Sequence, residues 1–379
     1  MDIKYFDNAA TTKIKKQVLE EMIPYLTNEY GNASSMYSIG RNAKKAIELA
    51  RRRVAELINC NPKEIYFTGC GSESDNTALK GIAYKYAYKG KHIITSKIEH
   101  PAILNTCETL SEQGYKISYI GVDENGIVNL EELKNNIISE TILISIMFAN
   151  NEIGTIQPIQ KIAKIANEKK ILFHTDAVQA CGNIPIDVKK MGIDLLSISG
   201  HKIHAPKGIG ALYIKDGIEF KKFIDGGHQE KDKRAGTENV AGIVGLGKAC
   251  QICSINMKKN IESITNLRNY LIDQIMEKIP DTKLNGDLKK RLPGNCNFSF
   301  KGVESQTLLL KLDNRGICVS AGSACSTGSS KPSHVLVAIG LPAEFEKGAL
   351  RISIGDENTK EEIDYLIKNL IEIVEELRK

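Results

Sequence analysis

From residue 64 onward, short β-branched or aromatic runs alternate with amphipathic stretches. The runs at 65–67, 92–95, 116–120, 142–147, 171–174 and 195–199 read as strands. A glycine-rich turn after the first predicts a helix over 72–88, and another helix opens near Pro101. The segments between strands are long enough for helical crossovers. This alternation predicts an α/β fold with a mostly parallel central sheet flanked by helices. Beyond about Val240 the texture changes. One helical stretch runs towards Ile279, followed by a strand over 295–300, a helix through Leu308, a glycine-rich segment around Cys325, a strand over 350–354 and a charged helix over 361–379. The expected division is a large domain over 13–255 and a smaller α/β domain made of 1–12 and 256–379, which carries the Cys325 segment.

Charge and composition narrow the function classes. The 379 residues include 51 Lys and Arg against 46 Asp and Glu, a net +5 spread along the chain, with no tryptophan. Without a basic stripe interleaved with aromatics, direct nucleic-acid binding is not expected. No apolar run reads as long enough to cross a bilayer, and the start lacks the order of an export signal. Nine cysteines, an odd count without tight spacing, fit reduced thiols and a cytoplasmic setting. Cys250 and Cys253 have redox-motif spacing but lie in a helical stretch without a second pair. His204, His228 and His334 show no ligand spacing, so no metal site is expected.

Chemistry gathers where a parallel sheet binds ligands, at the carboxyl ends of its strands. Gly71-Ser72, Asn150-Asn151, Asp176 and Lys202 all fall there. A lone loop lysine is usually just solvated, and Lys202 follows an apolar strand beside Ser199 and His201. A lysine in apolar surroundings can form a Schiff base with an aldehyde cofactor. Asp176 reads either as a helix cap or as the carboxylate that keeps a pyridine nitrogen protonated. The turn Gly69-Cys70-Gly71-Ser72-Glu73 leads into a helix, whose first N–H groups and Ser72 hydroxyl suit a phosphate. Phosphate cup, carboxylate and lysine in this order are a stronger signal than any one of them.

These residues sit within motifs that span nearly the whole chain. They include Tyr5-Phe6-Asp7-Asn8-Ala9-Ala10-Thr11-Thr12, Glu99-His100-Pro101-Ala102, Asn150-Asn151-Glu152-Ile153-Gly154-Thr155, Asp176-Ala177-Val178-Gln179, Gly236-Thr237-Glu238-Asn239, Ser323-Ala324-Cys325 and Leu350-Arg351-Ile352-Ser353. In them the chain resembles the cysteine desulfurases of the iron–sulfur assembly branch, class V aminotransferase-like enzymes of the fold type I pyridoxal-phosphate transferases. Ala33, Met36-Tyr37, His228 and Asp232 depart from the family pattern, in loops rather than at cofactor positions.

The resemblance implies roles residue by residue. Lys202 carries pyridoxal 5'-phosphate, Asp176 pairs with its ring nitrogen, and Gln179 bonds its ring oxygen. Gly71, Ser72, Ser199 and His201 line the phosphate site, with Thr237 arriving from the other subunit of a homodimer. His100 stacks on the ring and assists proton transfer, while Asn151 and Arg351 hold the carboxylate of L-cysteine. The small residues around Cys325 read as a loop that moves, so Cys325 takes the sulfur as a persulfide, leaves L-alanine, and passes the sulfur to an iron–sulfur scaffold or a tRNA-thiolating enzyme. The alternative is a selenocysteine lyase or another small-substrate enzyme of the same fold. A non-catalytic sulfur or metal chaperone is the rival of a different class.

Overall fold

The computed structural model describes residues 3–322 and 333–379. A short strand β1 (Lys4–Tyr5) precedes a seven-stranded sheet built from β2 (Ile65–Thr68), β3 (His92–Ser96), β4 (Lys116–Ile120), β5 (Thr141–Ser145), β6 (Leu172–Asp176), β7 (Leu195–Ser199) and β8 (Gly210–Ile214). The spatial order is β2-β8-β7-β6-β5-β3-β4. Neighbours from β7 across to β4 are parallel, whereas β8 runs antiparallel to both β7 and β2. Helices cover both faces, so β3, β5, β7 and β8 are buried along their whole length. That double cover is why these strands read as continuous apolar runs rather than alternating ones. β4, at the edge, carries the exposed Lys116, a charge that blunts pairing with another chain.

The expected mostly parallel sheet is present, with one strand the sequence pattern did not reveal. β8 has the same apolar character as its neighbours, but it returns after only residues 200–209. So short a link cannot make a parallel crossover, and the chain reverses. Lys202 lies in that reversal.

Further along, β9 (Thr282–Leu284), β10 (Asn295–Phe300) and β12 (Ala349–Ser353) form an antiparallel sheet in the order β12-β10-β9. β11 (Ile317–Cys318) pairs in parallel with β1, Lys4 opposite Ile317. A separate apolar cluster fills this part, made of Phe6 and residues between Ile264 and Val374. The N-terminal residues therefore pack with the last third of the chain, tying the two ends together.

The 39-residue helix Val240–Lys278 belongs to both cores. Its first turns, with Ala241, Ile243, Leu246 and Ala249, pack under the main sheet, and Ile264, Leu271, Ile272 and Ile275 enter the second cluster. The expectation that no apolar stretch could span a bilayer needs correcting. By length and composition this helix passes, with half of its most apolar window buried inside the protein. A helix that is apolar because it crosses two cores meets the same test as a membrane span.

Candidate active site

The carboxyl ends of β2, β5, β6 and β7 converge on a cavity of about 190 Å³ whose wall includes Gly71, Ser72, His100, Asn151, Asp176, Gln179, Ser199, His201, Lys202 and Arg351. Each is a residue the sequence pointed to. The helix Gly71–Tyr86 opens directly on this space. Gly71 must be glycine: a Cβ there would stand 2.8 Å from Val178 Cγ2 and 3.2 Å from Ser199 Cβ. Its absence lets the helix start press against the ends of β6 and β7, aiming the positive end of the helix dipole into the cavity.

Lys202 Nζ donates to the carbonyls of Ala9 at 2.6 Å and Ala10 at 2.7 Å. Gln179 Nε2 donates to the same Ala9 oxygen at 3.0 Å. The segment after β1 is thus the floor against which both side chains rest. Asp176, 6% exposed, accepts from the Val178 N–H at 2.9 Å. Burial raises its pKa, and the Val178 hydrogen bond and the nearby Lys202 charge pull the other way.

His100 caps the helix Pro101–Glu112, its Nδ1 accepting from the Ala102 N–H at 3.1 Å. An accepting Nδ1 puts the proton on Nε2 of the neutral ring. Burial lowers the His100 pKa, so the ring is neutral and Nε2–H is its donor. His201, pushed down to about 4 by burial and then by Lys202 and Lys207, is neutral as well, with Nδ1 3.1 Å from Thr11 Oγ1.

A class-V aminotransferase family model matches residues 4–366. The cysteine desulfurase IscS of Clostridium botulinum is 55% identical over 377 residues, covering 99% of this chain and 95% of the relative. The chain belongs to the cysteine desulfurase family. A solved NifS-like protein superposes with a TM-score of 0.93 at 40% identity, over 99% of this chain and all of the other. SspA in complex with cysteine superposes with a TM-score of 0.84 at 37% identity, over 94% of this chain and all of SspA.

For a desulfurase, the test is whether the cavity suits pyridoxal phosphate. A buried carboxylate, a lysine amine and a cradle a Cβ would fill at a helix start together match a ring nitrogen, an aldehyde and a phosphate. The fit holds.

One predicted position among the described residues is not brought to this cavity. Thr237 is exposed and lines a separate hollow of about 170 Å³ with Gly69, Arg234 and Glu238. Cys325, with Ser323 and Ala324, lies outside the described residues. Cys70, in the turn before the helix Gly71–Tyr86, is exposed on the cavity wall.

Sequence reasoning missed several acids. Asp75, on the same helix face as Ser72 and spaced i, i+3 from it, also lines the cavity. Burial and then the Asp176 charge raise its pKa well above the ordinary range. Glu99, fully buried, accepts from Ser96 Oγ at 2.5 Å and from the Met147 N–H at 3.0 Å, and burial lifts it to about 8. Glu152 accepts from Ser333 Oγ at 2.6 Å. Its place in the Asn150–Thr155 motif was the available signal.

His174 lies under this site between Ser145 Oγ at 2.9 Å and Ser197 Oγ at 3.0 Å. Burial depresses its pKa from 6.5 to about 3. Between those values the unfolded chain binds the extra proton, so stability falls as pH drops from 6.5 towards 3. Melting temperatures measured across that window should fall more steeply in the parent than in a His174→Gln variant.

Proposed function

We propose that this protein removes sulfur from L-cysteine, releasing L-alanine and leaving the sulfur as a persulfide on Cys325. The observation that carries the reading is the convergence of Lys202, Asp176, His100, Arg351 and the helix start at Gly71 on one cavity. Bound there, pyridoxal phosphate supplies an aldehyde for the substrate amine and a protonated ring that draws electrons from Cα. Lys202 would hold it, Asp176 would face its ring nitrogen and Gln179 its ring oxygen, with Gly71, Ser72, Ser199 and His201 around the phosphate.

The chain's own groups then divide the work. Arg351 and Asn151 fix the substrate carboxylate, which orients Cα and its proton towards Lys202. The Lys202 amine takes that proton and later returns one. The neutral His100 offers its Nε2–H as a hydrogen-bond donor that steadies developing negative charge, and it leaves the proton transfers to Lys202. The Cys325 thiolate attacks the substrate sulfur; the Cβ–S bond breaks, its electron pair stays with Cβ, and Cβ takes up a proton. Thiol and thiol-derived sulfur end as Cys–S–S⁻, which a reductant or an acceptor protein discharges.

Other parts of the reading rest on narrower support. Thr237, exposed in its own hollow, would complete the phosphate site of a partner copy in a homodimer. The packing of Phe6 with the second core supports a small domain of 1–12 and 256–379 beside a large one of 13–255. A cytoplasmic location, with an iron–sulfur scaffold or tRNA-thiolating enzyme as acceptor, agrees with eight free cysteines among the described residues.

The deciding experiment measures alanine released from L-cysteine by the cofactor-loaded protein with a reductant present. The parent should produce alanine, and Cys325→Ala should keep the cofactor absorbance yet lose alanine formation by at least the roughly 10²-fold of a missing nucleophile or acid–base group. A Cys325→Ala protein that transfers sulfur at the parent rate would overturn the assignment.

A further inference from the structure

Arg351 stands in the middle of β12 and is 1% exposed, although its guanidinium reaches the cavity wall. Nη1 donates to the Asn151 carbonyl at 3.0 Å, and Nη2 donates to Asp7 Oδ1 at 2.9 Å. Nε is buried with no hydrogen-bond partner among the described residues. Asp7 supplies the carboxylate in its one ion pair among the described residues. The other Asp7 oxygen, Oδ2, accepts from Ser320 Oγ at 2.7 Å. Ser320 and Arg351 also exchange backbone hydrogen bonds, at 3.1 and 2.6 Å. The three residues form a closed ring, and Asp7 is not among the residues that line the cavity.

A guanidinium this buried binds a carboxylate strongly unless another anion shares its charge. Cysteine and alanine carry the same carboxylate, so whatever captures the substrate must also let the product go. We infer that Asp7 is a positioning residue that competes with the substrate carboxylate for Arg351, weakening the grip enough for alanine to leave. The inference rests on the reading that Arg351 binds that carboxylate. Ser320 tunes the competition, because its hydroxyl draws part of the Asp7 charge away from Arg351.

The two neighbours of Arg351 therefore have opposite effects. Asp7→Asn keeps an acceptor for Nη2 and a partner for Ser320 but removes the charge. Its dissociation constant for L-alanine, titrated calorimetrically into cofactor-loaded protein, should fall on the order of tenfold. Ser320→Ala leaves the Asp7 charge wholly on Arg351, and its alanine constant should rise. An unchanged or raised constant in Asp7→Asn overturns the inference. Should Asp7→Asn not fold, an unchanged or lowered constant in Ser320→Ala does so instead. Arg351→Gln run beside them separates the two levels: a constant unchanged there removes the carboxylate reading itself, whereas a raised one leaves only the role of Asp7 at stake.

Discussion

Lys202→Ala should lose both the visible absorbance of bound cofactor and turnover, the latter by about 10⁴-fold or more. The magnitude follows from the two roles that meet in one amine. It is the attachment point of the cofactor, and it is the group that moves the Cα proton, a contribution worth roughly 10²–10⁴ by itself. No neighbour can take over. His100 is neutral with its proton on Nε2, so it faces the cavity as a donor. His201 is held neutral beside Thr11. The fold should survive, because the Lys202 hydrogen bonds to Ala9 and Ala10 end on main-chain carbonyls at the cavity floor and link no two core elements. Ultraviolet circular dichroism unchanged from the parent, alongside lost absorbance, would confirm that the defect is chemical. Turnover retained within tenfold would remove Lys202 from the mechanism.

Glu230→Ala should destabilise the protein by about 3 kcal/mol, near the low end of the cost of breaking a buried ion pair. The value is low because Arg51 keeps the partly exposed Glu48 carboxylate at 3.1 Å and the Ile65 carbonyl at 2.7 Å. Arg51, 3% exposed, meets Glu230 in a two-pronged contact, Nη1 to Oε2 and Nη2 to Oε1, each at 2.8 Å. Glu230 Oε2 also accepts from the Phe67 N–H at 2.8 Å, which binds the segment to β2. The backbone adds to the dependence. Glu230, Lys231 and Asp232 all have positive φ, at 45°, 59° and 65°. Three consecutive non-glycine residues in that region persist only when their surroundings hold them there. The carboxylate of Glu230 anchors this stretch to Arg51 and β2, so its removal loosens the loop as well as removing the charge. Chemical denaturation of the parent, Glu230→Ala and Arg51→Met would measure it. Arg51→Met, which leaves Glu230 stranded in turn, should be comparably destabilised.

The strands and the cofactor side of the site were legible because each is written locally. A run of β-branched residues followed by glycine, acid or lysine marks a strand end, and the sheet gathers those ends on one edge whatever its detailed order. β8 was not legible, because its direction depends on the length of the link carrying Lys202 rather than on its own residues. Asp75, Glu99, Glu152 and Asp7 were not legible as functional for a different reason. Each acts through a partner far away in sequence, Asp7 through Arg351 and Ser320, and no local pattern distinguishes a buried acid from a solvated one. The stretch around Glu230 departs from the family pattern at His228 and Asp232, and of these only Asp232 has left-handed backbone. The pairing of Glu230 with Arg51, which anchors the stretch, joins positions far apart in sequence and has no local signature.

The pairing of β1 with β11 sets a timetable for synthesis. Lys4 waits for Ile317, about 300 residues later, which at ribosomal speed is roughly 15–60 s. For most of that interval, until Ile264 and the residues after it are made, Phe6 has no core to enter, and β1 has no strand to hold the carbonyls of Ala9 and Ala10 beneath Lys202. The main sheet can form while the chain is still growing, but the floor of the cavity is laid last. A nascent chain interrupted anywhere before β11 therefore holds a lysine at the end of β7 without the surface that orients it, and capture of the cofactor becomes a post-translational event.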